Sequence, residues 1–184
     1  MAEFRVETAR LVLRGWRAAD LDPFHAICSD PVVMATLGAL MTRAQVAARI
    51  AQMQDMQAEL GHCFWALERH SDARLIGWCG VIRGTAGPVE DKAELGWRLA
   101  SDCWGHGYAS EAARGAAGWA FAELSDAALW AITSVDNARS RAVMERLGMR
   151  YRADCDFDHP QVPPGDPLRP HVAYDLPRET WSQA

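Results

Sequence analysis

The sequence feature that most restricts the fold of this chain is a pair of glycines, Gly105 and Gly107, between a strand-like run and a helix-like run. The strand-like run extends from Ala93 to Ala100, and the helix-like run extends from Gly105 to Leu124. Glycine lets the backbone turn tightly with its N–H groups exposed. Because these N–H groups lie at the positive end of the helix dipole, the segment predicts an anion site for phosphate or pyrophosphate.

Two other interpretations of the glycine pair remain open. A nicotinamide-dinucleotide fold uses a similar turn near the start of a βαβ unit, with an acidic residue about 20 residues further on at a strand end. At that distance this chain has Glu123 and Asp126, which lie at the end of the helix, and Ser110 occupies the third glycine position. The dinucleotide interpretation therefore fits poorly. The glycines could also form a helix entrance that binds no ligand.

Hydrophobic periodicity assigns the rest of the chain to strands and helices. The predicted strands cover residues 10–14, 62–68, 74–82, 93–100, 127–135, 151–158 and 171–176. The predicted helices begin at Asp20, Thr42, Gly105 and Asn137, and Gly61 and Gly148 end the second and the fourth. Residues 160–170 contain five prolines and are predicted to form a loop. This order predicts a single domain over residues 1–184, with a mixed sheet of the α/β or α+β class.

The composition argues against several classes of function. The five cysteines are odd in number and scattered, and the six histidines lack metal-ligand spacing, so neither a disulfide framework nor a metal site is predicted. The chain has no apolar run of about 18 residues, and Met1-Ala2-Glu3-Phe4-Arg5 lacks the order of a signal peptide. We therefore expect a cytoplasmic protein with no membrane partner. The formal net charge of −5 argues against a nucleic-acid partner.

Several segments of the chain resemble the GNAT superfamily of N-acetyltransferases, and within it the RimJ/RimL-like branch. The resemblance covers nearly the whole chain, and the segments follow one another in the family's order. They are the opening strand Thr8–Arg14, the segment Ser29–Met34, the strand motif Ala93–Trp97, the loop Trp104–Ala112, and the helix motifs Asn137–Ser140 and Met144–Met149.

The resemblance implies a mixed, mostly antiparallel sheet of six or seven strands flanked by about four helices, with the fourth and fifth strands splayed apart. It also implies acetyl-CoA as the acetyl donor and no metal. The pantetheine arm would lie near Trp97 and Leu99, and Asn137 would contact it from the start of its helix. The pyrophosphate would bind the N–H groups of Gly105, His106, Gly107, Tyr108 and Ala109.

Two departures from the family pattern affect the expected chemistry. Asp102 stands where the family often has Arg or Gln, so we expect its carboxylate to point away from the pyrophosphate. Met144 stands where the family often has the tyrosine that protonates the departing thiolate, and methionine cannot donate a proton. Ser140, one helical turn earlier, is the substitute that the resemblance implies, although it could be only a capping residue.

The resemblance also suggests how the acceptor reacts. A primary amine of a small molecule or of a protein N-terminus would attack the thioester directly, without a covalent enzyme intermediate. Glu94 is the candidate general base, directly or through a water, because it resembles a carboxylate on the fourth strand of several family members. It could equally be a surface residue of an antiparallel strand. The alternative function is a catalytically idle acyl-CoA-binding module, and the protein could be a monomer or a homodimer.

Three further groups of residues carry weaker indications. His159 and His171 flank the proline-rich loop, which borders the acceptor cleft that the resemblance implies. Asp154, Asp156 and Asp158 would share one face of the strand predicted over 151–158, where they could attract a cationic acceptor or simply face solvent. Cys103 is interpreted as a small filler beside the loop, because the sequence places no base next to it.

Overall fold

The computed structural model describes residues 4–181, and residues 1–3 and 182–184 lie outside it. The helices are α1 (Leu21–Cys28), α2 (Pro31–Met34), α3 (Arg43–Leu60), α4 (Tyr108–Glu123) and α5 (Ala138–Arg146). The strands are β1 (Arg5–Glu7), β2 (Leu11–Arg14), β3 (Phe64–Arg69), β4 (Arg74–Arg83), β5 (Ala93–Leu99), β6 (Ala128–Ser134), β7 (Arg150–Tyr151), β8 (Phe157–Asp158) and β9 (Pro170–Pro177). Within this range, no helix has both the length and the apolar character that crossing a membrane requires.

The strands form one mixed sheet in the order β1-β2-β3-β4-β5-β6-β9-β7, with β8 paired to β9. Every pairing is antiparallel except that between β5 and β6. Those two parallel strands share a single register pair, Glu94 with Trp130, and diverge beyond it. They are the fourth and fifth strands of the sequence prediction, so the expected mixed sheet with splayed strands is confirmed.

The predicted numbers of strands and helices were too low. The described part of the chain has nine strands rather than six or seven, because β1, β7 and β8 are only two or three residues long. Runs this short carry no measurable periodicity. The structure also has five α-helices rather than about four. The additional one, α2, is a single turn that Asp30 caps by accepting a 2.8 Å hydrogen bond from the Val32 N–H.

The strand predicted over residues 151–158 was wrong, because a 3-10 turn at Ala153–Cys155 separates β7 from β8. The three aspartates therefore do not form a row on one strand face. Each has its own hydrogen-bonding partner: Arg152 for Asp154, Tyr151 for Asp156 and Arg169 for Asp158. The cationic-acceptor interpretation therefore loses the shared strand face on which it rested.

Helix α4 begins three residues later than predicted, at Tyr108. Gly105 and Gly107 have φ angles of +79° and +80°, which lie outside the helical region. One face of α4 consists of alanines, of which Ala112, Ala113 and Ala116 are fully buried, and α4 packs on β2, β4 and β5. Small side chains let the helix axis lie close to the sheet, and this close packing fixes the position of the helix N-terminus.

A buried ion-pair network joins β2 to the entrance of α1. The Arg14 guanidinium donates two 2.8 Å hydrogen bonds to the Asp20 carboxylate and one of 2.8 Å to Glu68. Asp20 also accepts a 2.7 Å hydrogen bond from the Arg17 backbone N–H. Because Arg14 and Asp20 are almost wholly buried, removing one partner leaves the other charge uncompensated.

We expect Asp20→Ala to lower the free energy of unfolding by about 3 to 5 kcal/mol, because it leaves the buried Arg14 with only Glu68 as a counter-charge. Urea denaturation at neutral pH measures this loss. The matched control is Asp22→Ala, which breaks an exposed 2.7 Å pair with Arg43 and is expected to cost less than about 1 kcal/mol. Equal losses in the two variants would contradict the importance of the buried network.

Candidate active site

The entrance of α4 presents a set of unpaired backbone amides. None of the N–H groups of residues 105–110 donates a hydrogen bond to any group within residues 4–181. The first turn of any helix leaves its amides without intrahelical partners. The positive φ angles of Gly105 and Gly107 extend this set backwards into the turn before the helix. The arrangement is suited to an anion with several oxygen atoms, such as a pyrophosphate.

The segment before β2 holds this turn in place. Arg10 Nη1 donates a 3.1 Å hydrogen bond to the His106 carbonyl, and the Arg10 guanidinium lies 4.6 Å from the centroid of the Tyr108 ring. Glu111, in the first turn of α4, accepts hydrogen bonds from the Arg10 backbone N–H at 2.7 Å and from the Thr8 hydroxyl at 2.6 Å. Burial alone would raise the pKa of Glu111, but these hydrogen bonds outweigh it and lower the pKa.

A cleft of about 630 Å³ opens in front of these amides, between the end of β5 and helix α5. Most of the predicted donor-binding residues line it, namely Trp97, Leu99, Gly105, Gly107, Tyr108, Ala109 and Asn137. His106 does not line the cleft, and its imidazole ring lies 5.6 Å from the ring of Tyr108. The fold therefore places predicted residues from one strand, one loop and two helices around a single cleft.

A second cavity of about 130 Å³ adjoins the cleft and contains Glu94. Leu37, Trp97, Arg98 and Ser140 line both cavities, so these residues mark where the cavities meet. Phe64 and Trp78, from β3 and β4, stack with ring centroids 4.1 Å apart and form one wall of the smaller cavity. Two spaces that meet at a few residues can bring two bound molecules into contact.

Glu94 lies in a desolvated position. Burial is the only resolved cause of its shift, and it raises the pKa of this carboxyl to about 7 from an ordinary value of 4.5. A carboxyl with this pKa is about half ionised at neutral pH, which is a suitable condition for a group that accepts and releases a proton. Glu94 is half-buried and lines the smaller cavity, so its role as the base stays a prediction.

Asn137 and Ser140 form a small hydrogen-bonded group at the start of α5. Asn137 caps the helix, because its Oδ1 accepts a 3.2 Å hydrogen bond from the Ser140 N–H. Asn137 Nδ2 donates to Thr133 Oγ1 at 2.9 Å and to Ser140 Oγ at 3.1 Å. Since Ser140 Oγ accepts a bond, its own hydroxyl hydrogen can point into the cavities. Met144, the residue at the family's tyrosine position, is buried and lines the smaller cavity.

The other sequence candidates lie away from the reacting region or have structural roles. Asp102 forms a bidentate ion pair with Arg74 and does not line either cavity, which agrees with the expectation that it points away. His159 and His171 pack with ring centroids 4.7 Å apart and line neither cavity. Burial raises the pKa of the Cys103 thiol, which agrees with its interpretation as a filler. No group of three potential metal ligands occurs within residues 4–181.

Sequence reasoning missed several residues that line the cavities. Arg98, Phe64 and Trp78 surround the region near Glu94, and residues 32–37 cover one side of the larger cleft. Arg98 was detectable, because it lies on the same face of β5 as Glu94 by the period-two rule. The aromatic pair was not, since its two members belong to different strands and meet only through the strand register.

The chain matches a family model described as "Acetyltransferase (GNAT) domain" over residues 10–150. Among curated proteins, it is 28% identical over 153 residues to YkkB of Bacillus subtilis (strain 168), covering 82% of this chain and 87% of that protein. It is also 32% identical over 116 residues to the FsC-acetyl coenzyme A-N(2)-transacetylase of Aspergillus fumigatus, covering 60% of this chain and 49% of that enzyme.

Two solved structures illustrate the similarity of the fold. The GNAT-family acetyltransferase from Bacillus anthracis aligns with a TM-score of 0.79 at 22% identity, covering 96% of this chain and 99% of that one. The RimL ribosomal L7/L12 alpha-N-protein acetyltransferase aligns with a TM-score of 0.77 at 13% identity, covering 96% of both chains. At these identities the likeness concerns the fold.

Glu94 has a testable effect on stability. Its pKa is higher in the folded chain than in the unfolded chain, so its protonation stabilises the fold at low pH and this contribution is lost as the pH rises through 7. At pH 5 we expect the free energy of unfolding of Glu94→Gln to lie within about 1 kcal/mol of the wild-type value. At pH 8 we expect it to be more stable by up to about 3 kcal/mol.

Chemical denaturation at the two pH values measures this difference. The control variant is Glu59→Gln, which changes an exposed carboxylate on α3. A gain of equal size in both variants would mean that the lost negative charge, rather than the burial of Glu94, causes the stabilisation.

Proposed function

The chain belongs to the GNAT acetyltransferase family, and from this premise we propose that it transfers the acetyl group of acetyl-CoA to a primary amine by direct attack. The observation that carries the proposal is the set of unpaired amides of residues 105–110, which lies at the larger cleft beside the end of β5. A relative named as an acetyl coenzyme A transacetylase supports the same donor. A closer relation to the RimJ/RimL-like branch remains a prediction.

Acetyl-CoA is the second substrate, and the residues of the larger cleft fit it. The amides of Gly105, His106, Gly107, Tyr108 and Ala109 would bind the pyrophosphate, because they are unpaired and lie at the positive end of α4. Beyond Glu94, the edge of β5 that faces β6 has no partner strand, so the backbone near Trp97 and Leu99 can bind the amides of the pantetheine arm. Asn137 would contact the arm from the start of α5.

Glu94 would act as the general base. A lysine-like amine has a pKa near 10.4, so presenting its neutral form at pH 7 costs about 4.6 kcal/mol. An α-amine with a pKa near 8 costs only about 1 kcal/mol. A carboxylate with a pKa of about 7 can take this proton, directly or through a water, and release it afterwards to solvent. The desolvation that costs stability thus provides a base suited to neutral pH.

Ser140 would act at the departing sulfur. As the amine nitrogen forms its bond to the carbonyl carbon, the carbon–sulfur bond breaks and the sulfur takes a proton. The Ser140 hydroxyl lines both cavities and has its hydrogen free to donate, because its oxygen already accepts from Asn137. Tyr108 is less suited, since its ring stacks beneath Arg10 and its hydroxyl hydrogen-bonds toward Arg69. Across the reaction, the ammonium loses two protons, the thiolate gains one, and one reaches solvent.

The proposal is tested by measuring thiol release from acetyl-CoA with a panel of primary amines, using the wild-type protein and Glu94→Gln. We expect turnover by the wild-type protein to rise with pH around a pKa near 7 as Glu94 ionises. Glu94→Gln should lose this ionisation, turn over about 100-fold more slowly and reach its optimum at higher pH. Its dissociation constant for acetyl-CoA should not change.

Two results would contradict the assignment. Unchanged kinetics in Glu94→Gln would remove Glu94 from the mechanism while leaving acetyl transfer intact. Tight binding of CoA without transfer to any amine would instead favour a catalytically idle acyl-CoA-binding module, a function that the methionine at position 144 makes worth testing.

Ser140→Ala tests the proton donor. We expect kcat to fall about 10- to 100-fold with little change in acetyl-CoA affinity, because the variant keeps the backbone N–H that Asn137 caps. The matched control is Ser110→Ala, since Ser110 lines the larger cleft but not the smaller cavity. Full activity of Ser140→Ala would mean that a water molecule protonates the sulfur.

A further inference from the structure

Arg98 is a charged side chain at the meeting point of the two cavities, and it has no role in the mechanism above. It lies near the end of β5 and lines both the donor cleft and the smaller cavity of Glu94. Its guanidinium carbon lies 5.7 Å from the centroid of the Trp78 ring, which is part of the wall of the smaller cavity. The positive charge is therefore next to the space where an acceptor would bind.

The protein provides Arg98 with no anionic partner. Within residues 4–181, its side chain donates two hydrogen bonds, both from Nη1 to sulfur atoms, at 3.3 Å to Cys28 Sγ and 3.8 Å to Met41 Sδ. Its Nε is buried without an acceptor, and no carboxylate of the described chain lies within ion-pair distance. Sulfur is a weak acceptor, so the charge of this half-buried side chain is poorly compensated.

Two buried charges away from the cavities have charged partners, unlike Arg98. Arg14 has two carboxylates around it, and the buried Asp175 has both Arg150 and Arg152. A half-buried guanidinium without a counter-charge costs free energy unless a ligand supplies the anion. Arginine is well suited to this role, because its planar donors match the two oxygens of a carboxylate.

The space between Glu94 and Arg98 has an apolar wall. Gly96 lies between them on the same face of β5, and a Cβ atom added there would come within 2.9 Å of the Phe64 ring. The stacked rings of Phe64 and Trp78 thus cover the strand at its centre, with an acidic group toward one end and a basic group toward the other. A molecule that fits this arrangement has an amine, an apolar body and an anionic group.

We propose that the acceptor is a small α-amino acid-like molecule whose carboxylate binds Arg98 while its amine, on the neighbouring carbon, lies where the two cavities meet and passes its proton toward Glu94 through a water. This inference rests on the proposed acetyl transfer and narrows its acceptor to a primary amine that carries a carboxylate. Arg139 and Arg146 line only the larger cleft, so they are placed to meet the phosphates of the donor. Arg98, in contrast, lines both the larger cleft and the smaller cavity that contains Glu94.

The test compares three acceptors that differ only at the carboxyl position: phenylalanine, its carboxamide and phenethylamine. The amine of the carboxamide is less basic than that of phenylalanine, and the amine of phenethylamine is more basic. A preference for phenylalanine over both therefore cannot come from amine basicity. We expect kcat/KM for phenylalanine to exceed that for each neutral analogue by about 10- to 100-fold, the usual effect of a hydrogen-bonded charge.

Variants assign this preference to Arg98. In Arg98→Met the advantage of phenylalanine should disappear, while phenethylamine is affected less than about 3-fold and acetyl-CoA binds as before. Arg98→Lys should keep part of the preference, because it keeps the charge but not the planar pair of donors. The control is Arg139→Met, which should weaken CoA binding and leave the acceptor preference unchanged.

A binding measurement keeps the proposal falsifiable if a variant fails to fold or no amine is acetylated. Calorimetry on the wild-type protein saturated with CoA compares N-acetylphenylalanine with its carboxamide. Binding of the acid about 10-fold or more tightly supports a carboxylate site even if acetyl transfer itself fails. Equal binding of the two compounds overturns the proposal.

Two kinetic results would also overturn it. If the wild-type protein acetylates all three acceptors equally well, there is no carboxylate site, although acetyl transfer stands. If Arg98→Met lowers kcat for all three by the same factor, or weakens acetyl-CoA binding, Arg98 acts on the donor or on the reacting thioester instead of on the acceptor.

Discussion

The divergence of β5 from β6 is the constraint on which the rest of the site depends. After the single pair Glu94–Trp130 the strands separate, and this leaves one backbone edge of β5 without a partner. An unpaired strand edge is usually a liability that a fold must cover. Here the opening is bounded by the first turns of α4 and α5, so the unpaired edge lies inside a cleft where a ligand with amide groups can complete its hydrogen bonds.

The site holds its charges at some cost to stability. The Glu94 carboxyl is desolvated and has a raised pKa, and the Arg98 guanidinium lacks a carboxylate partner. In contrast, the charges that only support the fold are compensated, as in the network of Arg14 with Asp20 and Glu68. Uncompensated charges concentrated at one place are typical of a site that is completed by its ligands.

Local sequence rules predicted the elements that local chemistry determines. Thr42 and Asn137 cap their helices, and Gly61 and Gly148 end them, because these positions need particular side chains or a left-handed backbone. The donor cleft was predictable for the same reason, since a glycine turn before a helix exposes amides wherever it occurs. Residues 151–158 alternate like a strand in the sequence, but a 3-10 turn at Ala153–Cys155 interrupts them, which alternation alone does not reveal. The wall formed by Phe64 and Trp78 depends on the register of β3 with β4, which one strand alone does not specify.

The order of residues along β5 explains how one strand serves two substrates. Glu94, Leu95 and Gly96 line only the smaller cavity, Trp97 and Arg98 line both, and Leu99 lines only the larger cleft. The bond between acetyl group and amine must form where both spaces are accessible, which places it near Trp97, Arg98 and Ser140. Since a strand rises about 3.3 Å per residue, Glu94 lies roughly 10 Å along the backbone from Trp97. That separation favours proton transfer from the amine to Glu94 through a water. The carboxylate itself stays in the smaller cavity beside Phe64 and Trp78, where it is desolvated.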